Sequence, residues 1–225
     1  MALQARVAAL AVVAMLALSG CSPVVEGRAL RASGQSDGSP SSTLKHPPAG
    51  AQDLLLQNGD DTPFGAATAI PVGDNYFTTA QPPNCAAAVV FENSPLRPPN
   101  AADHAESAYR FAGPATYGES IDLYGDALDT QHVVVEGFIA IAQCRKEAMG
   151  VTRDGKSWPI HLSDVDTSAR NAVVWIMTQP GWTCSYGLGA LPRVAVLLSA
   201  CDSTPGFPMR DWVAKRLAQI DGRTA

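Results

Sequence analysis

The stretch GWTCSYGLGALPRVAVLLSAC, residues 181–201, decides the fold of this chain, because it holds two cysteines around an alternating apolar run. It predicts one strand at TCSYGL and a second at RVAVLLSAC, joined by a turn that contains glycine and proline. Cys184 and Cys201 would then form either a redox or metal site or a clasp between two strands. The cellular compartment decides between these alternatives, since disulfides persist in oxidising surroundings.

The N-terminus predicts export and a lipid anchor. Arg6 precedes an unbroken apolar run at residues 7–18. That run is shorter than the roughly 20 residues of a membrane-spanning helix and has the size of a cleaved secretory signal. The sequence LSGC at residues 18–21 resembles the bacterial lipobox, in which the signal, here residues 1–20, is cut before the cysteine. We expect Cys21 to carry fatty acyl chains such as palmitate, which anchor the chain firmly. The alternative is an ordinary signal peptide with an accidental cysteine.

Residues 21–52 are interpreted as the lipidated cysteine and a flexible tether. Residues 22–52 are rich in Ser, Gly, Pro and Ala and nearly lack large apolar side chains, so burial cannot offset the entropy of ordering them. Residues 53–225 are long enough for one domain with its own core. The chain has a net charge of −5 and no cluster of lysine and arginine, and we therefore expect no nucleic-acid partner.

Four cysteines remain in this domain once Cys21 is assigned to lipid: Cys85, Cys144, Cys184 and Cys201. An even number of cysteines in an exported domain predicts two disulfides. Structural zinc sites need cysteine pairs separated by two to four residues, and redox sites need a C-x-x-C motif. Neither spacing occurs among these four. Four cysteines permit three connectivities, and their number and spacing leave all three open.

Strands are expected to dominate the domain. Besides the two strands of the opening stretch, we predict strands at residues 85–91, 105–111, 120–124 and 171–179. Asp154-Gly155 lies between two short runs and predicts a hairpin with a type I′ turn. Residues 60–84 contain Gly73 and several prolines and are expected to be irregular.

Three helices are predicted, beginning with a short one at residues 53–57. Asp126 is expected to cap a second helix that ends at Arg145-Lys146. Its buried stripe should contain Leu128, Val135, Phe138 or Ile139, and Ala142. The last helix has Pro208 in its first turn, and its apolar face should contain Met209, Val213, Leu217 and Ile220. We predict an α+β single domain, a twisted antiparallel sheet with helices packed on one side.

No catalytic constellation is recognisable, and we expect no enzyme, no cofactor and no metal. His161 lies near Asp164 and Asp166, which we interpret as a solvated loop, with a metal site as the alternative. The sequence GESID around Ser120 lacks the second glycine of an esterase nucleophile elbow. Indoles dominate burial, so core packing is expected for the four tryptophans and a ligand cleft is the alternative. These are Trp158, Trp175, Trp182 and Trp212.

The opening stretch and the following helix, residues 207–220, resemble the C-terminal part of the extracellular sensor domain of the mycobacterial kinase PknH. That part of the family has Trp-x-Cys, a polar strand, an apolar strand ending in cysteine, and a terminal helix. Trp182, Cys184 and Cys201 carry the match here. The sequence DLLL at residues 53–56 resembles the opening helix of the family, and the other two cysteines fall where its remaining cysteines occur.

The resemblance implies an extracytoplasmic sensor-type domain with two disulfides and a cleft, and no kinase, because a Gly-rich ATP loop and a His-Arg-Asp loop are absent from the sequence. We separately predict the pairing Cys85–Cys144 and Cys184–Cys201. The expected function is that of a ligand-binding or sensor-like lipoprotein of the mycobacterial cell envelope. Cys21 would anchor it on the extracytoplasmic face of the cell membrane, and its partner would be a small molecule, lipid or envelope protein. The alternatives are a protein-interaction module and, third, an envelope hydrolase.

Overall fold

The computed structural model describes residues 50–73, 76–145 and 147–224. The predicted signal, Cys21 and most of the predicted tether lie outside the described residues. Within the described part of the chain, no helix is both long enough and apolar enough to cross a membrane.

A nine-stranded antiparallel sheet forms the centre of the domain, in the order β3-β5-β6-β11-β10-β9-β8-β7-β4. Its strands are β3 (Thr68–Ile70), β4 (Phe77–Gln81), β5 (Asp103–Arg110), β6 (Thr116–Leu123), β7 (Ala148–Thr152), β8 (Ser157–Asp166), β9 (Ala172–Gln179), β10 (Trp182–Leu191) and β11 (Val194–Asp202). Two short strands, β1 (Asp61–Thr62) and β2 (Gly65–Ala66), pair separately. The α+β prediction is confirmed.

The opening stretch forms the central hairpin of the sheet, as predicted. β10 and β11 pair from Thr183 opposite Asp202 to Leu191 opposite Val194, and residues 192–193 make the turn. Cys184 faces Cys201 directly across the two strands and is bonded to it. The second disulfide joins Cys85 to Cys144. This is the connectivity predicted from the sequence.

Helices cover both faces of the sheet, which corrects the prediction of one covered side. On β10, Leu188 packs in the core cluster beneath helix α3 (Thr130–Ala142), whereas Gly187 meets side chains of helix α4 (Met209–Thr224). We call these surfaces the α3 face and the α4 face. Strands buried on both faces read as nearly continuous apolar runs. The run in β11 has this pattern, so the sequence already contained the signal.

Helix α4 confirms its predicted apolar face. Met209, Val213, Leu217 and Ile220 are all buried against the sheet. The contact is close because β10 presents glycine there: a Cβ on Gly189 would lie 3.0 Å from Leu217 Cδ1. The short helix α1 (Ala51–Leu54) packs on β5 and β6, and it begins and ends earlier than the predicted helix at residues 53–57.

Helix α3 buries a different stripe from the predicted one. Its buried residues are Val133, Gly137 and Ile141. Val135, Phe138 and Ile139 are exposed, at 44%, 39% and 46%. The reason is the glycine, because a Cβ at Gly137 would lie 2.6 Å from Leu188 Cδ2, so the helix approaches the sheet through its smallest residue. The helix also begins later than expected, and its N-cap is Asp129, which accepts a hydrogen bond from the amide of His132, instead of Asp126.

Three further local predictions were wrong in detail. Residues 85–91 contain helix α2 (Ala86–Val89) after a 3₁₀ turn (Pro83–Cys85) instead of a strand, consistent with the high helix propensity of alanine. Residues 60–84 are not irregular throughout, since they contain β1 to β4. The hairpin at Asp154-Gly155 is present, but in this loop only Gly155 has a positive φ, of 80°, and its amide donates to the carbonyl of Thr152. That is a type I turn followed by a bulge instead of a type I′ turn.

Candidate functional site

A cavity of about 580 Å³ opens on the α3 face of the sheet. Its wall on the sheet side includes Tyr186 and the Cys184–Cys201 disulfide from the central hairpin. Its other walls come from Tyr76 and Phe77, at the start of β4, and from the β7–β8 hairpin. The volume lies in the range of small-molecule sites in proteins, roughly 300–1,000 Å³.

Two of the four tryptophans line this cavity. Trp158 of β8 is 48% exposed, and Trp182 of β10 is half-buried. The other two are core residues: Trp175 donates its indole N–H to the carbonyl of Ala88 (2.8 Å), and Trp212 donates to the hydroxyl of Tyr117 (3.0 Å). The expectation of core packing is therefore confirmed for Trp175 and Trp212, whereas Trp158 and Trp182 line the cavity.

Glycines on β6 and β7 make room for the aromatic rings of Tyr76 and Phe77. A Cβ at Gly118 of β6 would lie 2.4 Å from the Tyr76 hydroxyl oxygen. A Cβ at Gly150 of β7 would lie 2.7 Å from the ring of Phe77. Both rings therefore occupy space that any larger residue at these positions would fill. The cavity depends on two sequence positions that carry no side chain.

Two buried polar atoms at the cavity lack a hydrogen-bond partner among the described residues: the Tyr76 hydroxyl and the Gln179 Oε1. Burial raises the pKa of Tyr76 well above its usual value, so its phenol keeps its proton and can donate. Burial also raises the pKa of Tyr186 to about 12. Buried polar groups in proteins are normally paired, so these two atoms, which have almost no accessible surface, are exceptions within the described ranges.

The charged groups in the cavity wall neutralise each other. Lys156 Nζ lies 2.7 Å from Asp154 Oδ2. Hydrogen bonds from Lys156 and then from Thr152 lower the pKa of Asp154 to about 2, so the carboxylate stays ionised. The described lining residues contain one acidic and one basic side chain, which gives this wall no net charge.

Ser120, the nucleophile considered from the sequence, is not part of a catalytic pair. It is buried in β6, and its hydroxyl has no hydrogen-bond partner among the described residues. The histidine of the neighbouring strand, His104, is occupied by carboxylates: its Nδ1 lies 2.9 Å from Asp122 Oδ1 and its Nε2 lies 3.6 Å from Glu106 Oε2. Arg97 completes this cluster through a bidentate contact with Asp122. The group is held together by its own ion pairs.

The residues considered as metal ligands lie on or beside β8. His161 is opposite Thr178, and Asp164 is opposite Ile176, so these residues belong to a strand and not to the expected loop. Asp166 accepts hydrogen bonds from the amide and the hydroxyl of Ser168. Across the described ranges, no group of three or more His, Cys, Asp or Glu side chains is arranged to hold a metal ion.

Sequence reasoning missed Tyr76, Phe77 and Gln179 as lining residues. The first two lie in the segment expected to be irregular, and Gln179 ends a strand that reads as core. One signal was available: Tyr-Phe followed by Thr-Thr-Ala-Gln carries two adjacent aromatic residues after a stretch that contains proline and glycine. Nothing in the sequence placed that pair next to the β7–β8 hairpin.

Sequence comparison identifies relatives of this chain among mycobacterial proteins. No protein-family model matches the chain. Proteins named "Putative lipoprotein LprH" in Mycobacterium bovis and in two strains of Mycobacterium tuberculosis are 48% identical to it over 216 residues, covering 96% of this chain and 93% of each relative.

The structural comparison agrees with the resemblance noted in the sequence. The crystal structure of the extracellular domain of PknH from Mycobacterium tuberculosis aligns with a TM-score of 0.60 at 17% identity, covering 79% of this chain and 98% of that domain. This likeness shows a shared fold. The relationship in sequence extends over nearly the whole chain, and the chain therefore belongs to the family of mycobacterial LprH lipoproteins.

Proposed function

We propose that this protein is a membrane-anchored extracytoplasmic lipoprotein whose domain binds a ligand in the cavity on the α3 face. The observation that carries the proposal is one cavity that combines an exposed indole, Trp158, with two buried polar atoms that lack a partner. The role is ligand-binding or sensor-like and non-catalytic.

The lipid anchor is supported by the sequence and by the relatives. LSGC at residues 18–21 matches the lipobox pattern, and the relatives are named as lipoproteins. Acylation of Cys21 would tie the domain to the outer side of the cell membrane through residues 22–49. A segment of this length would let the domain stand away from the membrane and meet molecules of the envelope.

The non-catalytic assignment is supported by the surroundings of the available nucleophile and base. Ser120 has no base within hydrogen-bonding distance among the described residues, and His104 is engaged by Asp122 and Glu106. Acid–base catalysis requires a positioned group within reach of the proton that moves. The cavity offers binding groups instead.

The test uses the chain from residue 22 without its lipid, which contains every described residue and both disulfides. The protein is incubated with lipid and metabolite extracts of a mycobacterial envelope, and retained molecules are identified by native mass spectrometry. We expect a retained molecule whose occupancy falls in Trp158→Ala and is unchanged in Met149→Ala, an exposed residue of the same hairpin. Retention of nothing, or equal retention by both variants, would contradict the proposal.

A second candidate is docking on another exported protein, favoured by the exposed apolar side chains of α3. Val135, Phe138 and Ile139 present a surface of the kind found at interaction sites. A photo-crosslinking residue at position 138, expressed in a mycobacterium, should then capture one defined protein. The same residue at exposed position 131 of the helix is the control, and equal labelling from both positions would count against docking.

A further inference from the structure

We infer that the ligand of the cavity is an uncharged saccharide, whose ring stacks on Trp158 and Trp182 and whose hydroxyls bind Tyr76 and Gln179. This inference rests on the proposed function, because it names the chemical class of the molecule that the cavity holds. Four observations carry it: the two indoles, the unpartnered polar atoms, the balance of charge and the size of the cavity.

The indoles supply flat apolar platforms in a lining that also contains polar side chains such as Thr116, Thr152 and Gln179. Trp158 leaves 48% of its surface exposed at the cavity, although a side chain of this size normally buries most of its area. Trp182 lines the same cavity from β10, two strands away from Trp158 across β9. A pyranose ring has a face of C–H groups that packs on such a platform and an edge of hydroxyls that remains free to hydrogen-bond.

The unpartnered atoms match those hydroxyls. The protonated Tyr76 phenol can donate and accept, and the Gln179 Oε1 accepts. Both atoms have almost no accessible surface, so each side chain has to turn toward the cavity before a sugar hydroxyl, which donates one hydrogen bond and accepts others, can pair with it. The polar groups and the aromatic rings line one cavity, which is the arrangement that fixes the orientation of a small ligand.

The charges argue against the other main ligand classes of an envelope. An anionic ligand such as a phosphate ester needs an excess of Lys or Arg, but Lys156 is paired with Asp154 among the described lining residues. A fatty acyl chain needs a lining without unsatisfied polar atoms, because it would leave Tyr76 and Gln179 buried and unpaired. The cavity of about 580 Å³ is much larger than one water molecule needs, and its volume suits a ligand of one or two rings.

The test titrates the lipid-free chain from residue 22 with neutral monosaccharides and disaccharides of hexoses and pentoses. Binding is followed by tryptophan fluorescence and by saturation-transfer NMR, which detects millimolar affinities. Inorganic phosphate and phosphatidylglycerol vesicles are the comparison probes. We expect at least one saccharide to bind, with Kd raised about tenfold or more in Trp158→Ala and about threefold or more in Gln179→Ala. Met149→Ala, exposed on the same hairpin, should bind like the unmodified protein.

The outcomes separate this inference from the proposed function. If no saccharide binds, but phosphate or the lipid binds and Trp158→Ala abolishes that binding, the saccharide is wrong and the binding cavity stands. If a saccharide binds equally well to Trp158→Ala, the site lies elsewhere and the inference fails. If neither the probes nor the envelope extract yields a bound molecule, both the saccharide and the ligand-binding function are refuted.

Discussion

Arg216 and Glu119 form a buried ion pair that joins α4, β6 and α1, and its disruption should be the most damaging single change in the domain. The two side chains are 1% and 0% exposed. Arg216 donates from Nε to Glu119 Oε1 (2.8 Å) and from NH2 to the carbonyl of Leu54 (2.8 Å). The second carboxylate oxygen accepts from the amide of Leu56 (3.1 Å). Each element therefore depends on the same two charges.

Arg216→Met keeps much of the packed volume and removes the positive charge. Glu119 is then buried without compensation, and removing one partner of such a pair costs about 3–5 kcal/mol of the free energy of unfolding. Arg210→Met is the matched control on the same helix, because Arg210 is exposed and its change should stay within about 0.5 kcal/mol. Guanidinium titration with tryptophan fluorescence measures both, since Trp212 lies in the core one turn from Arg216.

The stability that Arg216→Met loses should be greater at high pH than at low pH. Burial raises the pKa of Glu119, and Arg216 opposes that rise. Without Arg216 the pKa rises further, so the folded variant binds a proton that the unfolded chain releases at neutral pH. When a carboxyl has a higher pKa in the folded state than in the unfolded chain, the folded protein becomes less stable as pH increases. The difference between the variant and the unmodified protein should therefore be smaller at about pH 5 than at about pH 8.

Two results would refute this reasoning. A decrease in the free energy of unfolding of less than about 1 kcal/mol would mean that desolvation offsets the attraction between Arg216 and Glu119. Packing alone would then hold α4 in place. An equal loss at both pH values would mean that the charge of Glu119 is not the cause. Adding Glu119→Gln to Arg216→Met should recover part of the stability and remove the pH dependence, because the amide still accepts from Leu56 and carries no charge.

Three further predictions concern the disulfide of the central hairpin, the N-cap of α3 and the lipidated cysteine. Replacing Cys184 and Cys201 together by alanine should lower the free energy of unfolding by about 3 kcal/mol, since the disulfide closes a short loop; an unchanged denaturation midpoint would contradict this. Asp129→Ala should cost about 1 kcal/mol by removing the N-cap of α3, whereas Asp126→Ala should cost nearly nothing by the same titration. Cys21→Ser should abolish the mass added by acylation in whole-protein mass spectrometry; an unchanged adduct would place the lipid elsewhere.

The sequence alone determined the parts of this protein that depend on local pattern. Alternating and continuous apolar runs predicted β9, β10 and β11, and the spacing of four apolar residues predicted the buried face of α4. An even number of cysteines without ligand or redox spacing predicted two disulfides. A short motif in the central hairpin also carried the resemblance to the PknH extracellular domain, with which the chain shares its fold. These features are encoded within a few turns of helix or one pair of strands.

The tertiary structure decided which surfaces meet. The buried side of α3 could not be predicted, because Gly137 reaches Leu188 only when the helix lies against β10, and a glycine contributes nothing to an apolar pattern. The cavity could not be predicted for the same reason. Tyr76, Trp158 and Trp182 come from separate parts of the chain, and Gly118 and Gly150 leave room for the aromatic rings because they lack side chains. How closely two elements approach depends on the side chains of both, whereas the sequence pattern of one segment describes only that segment.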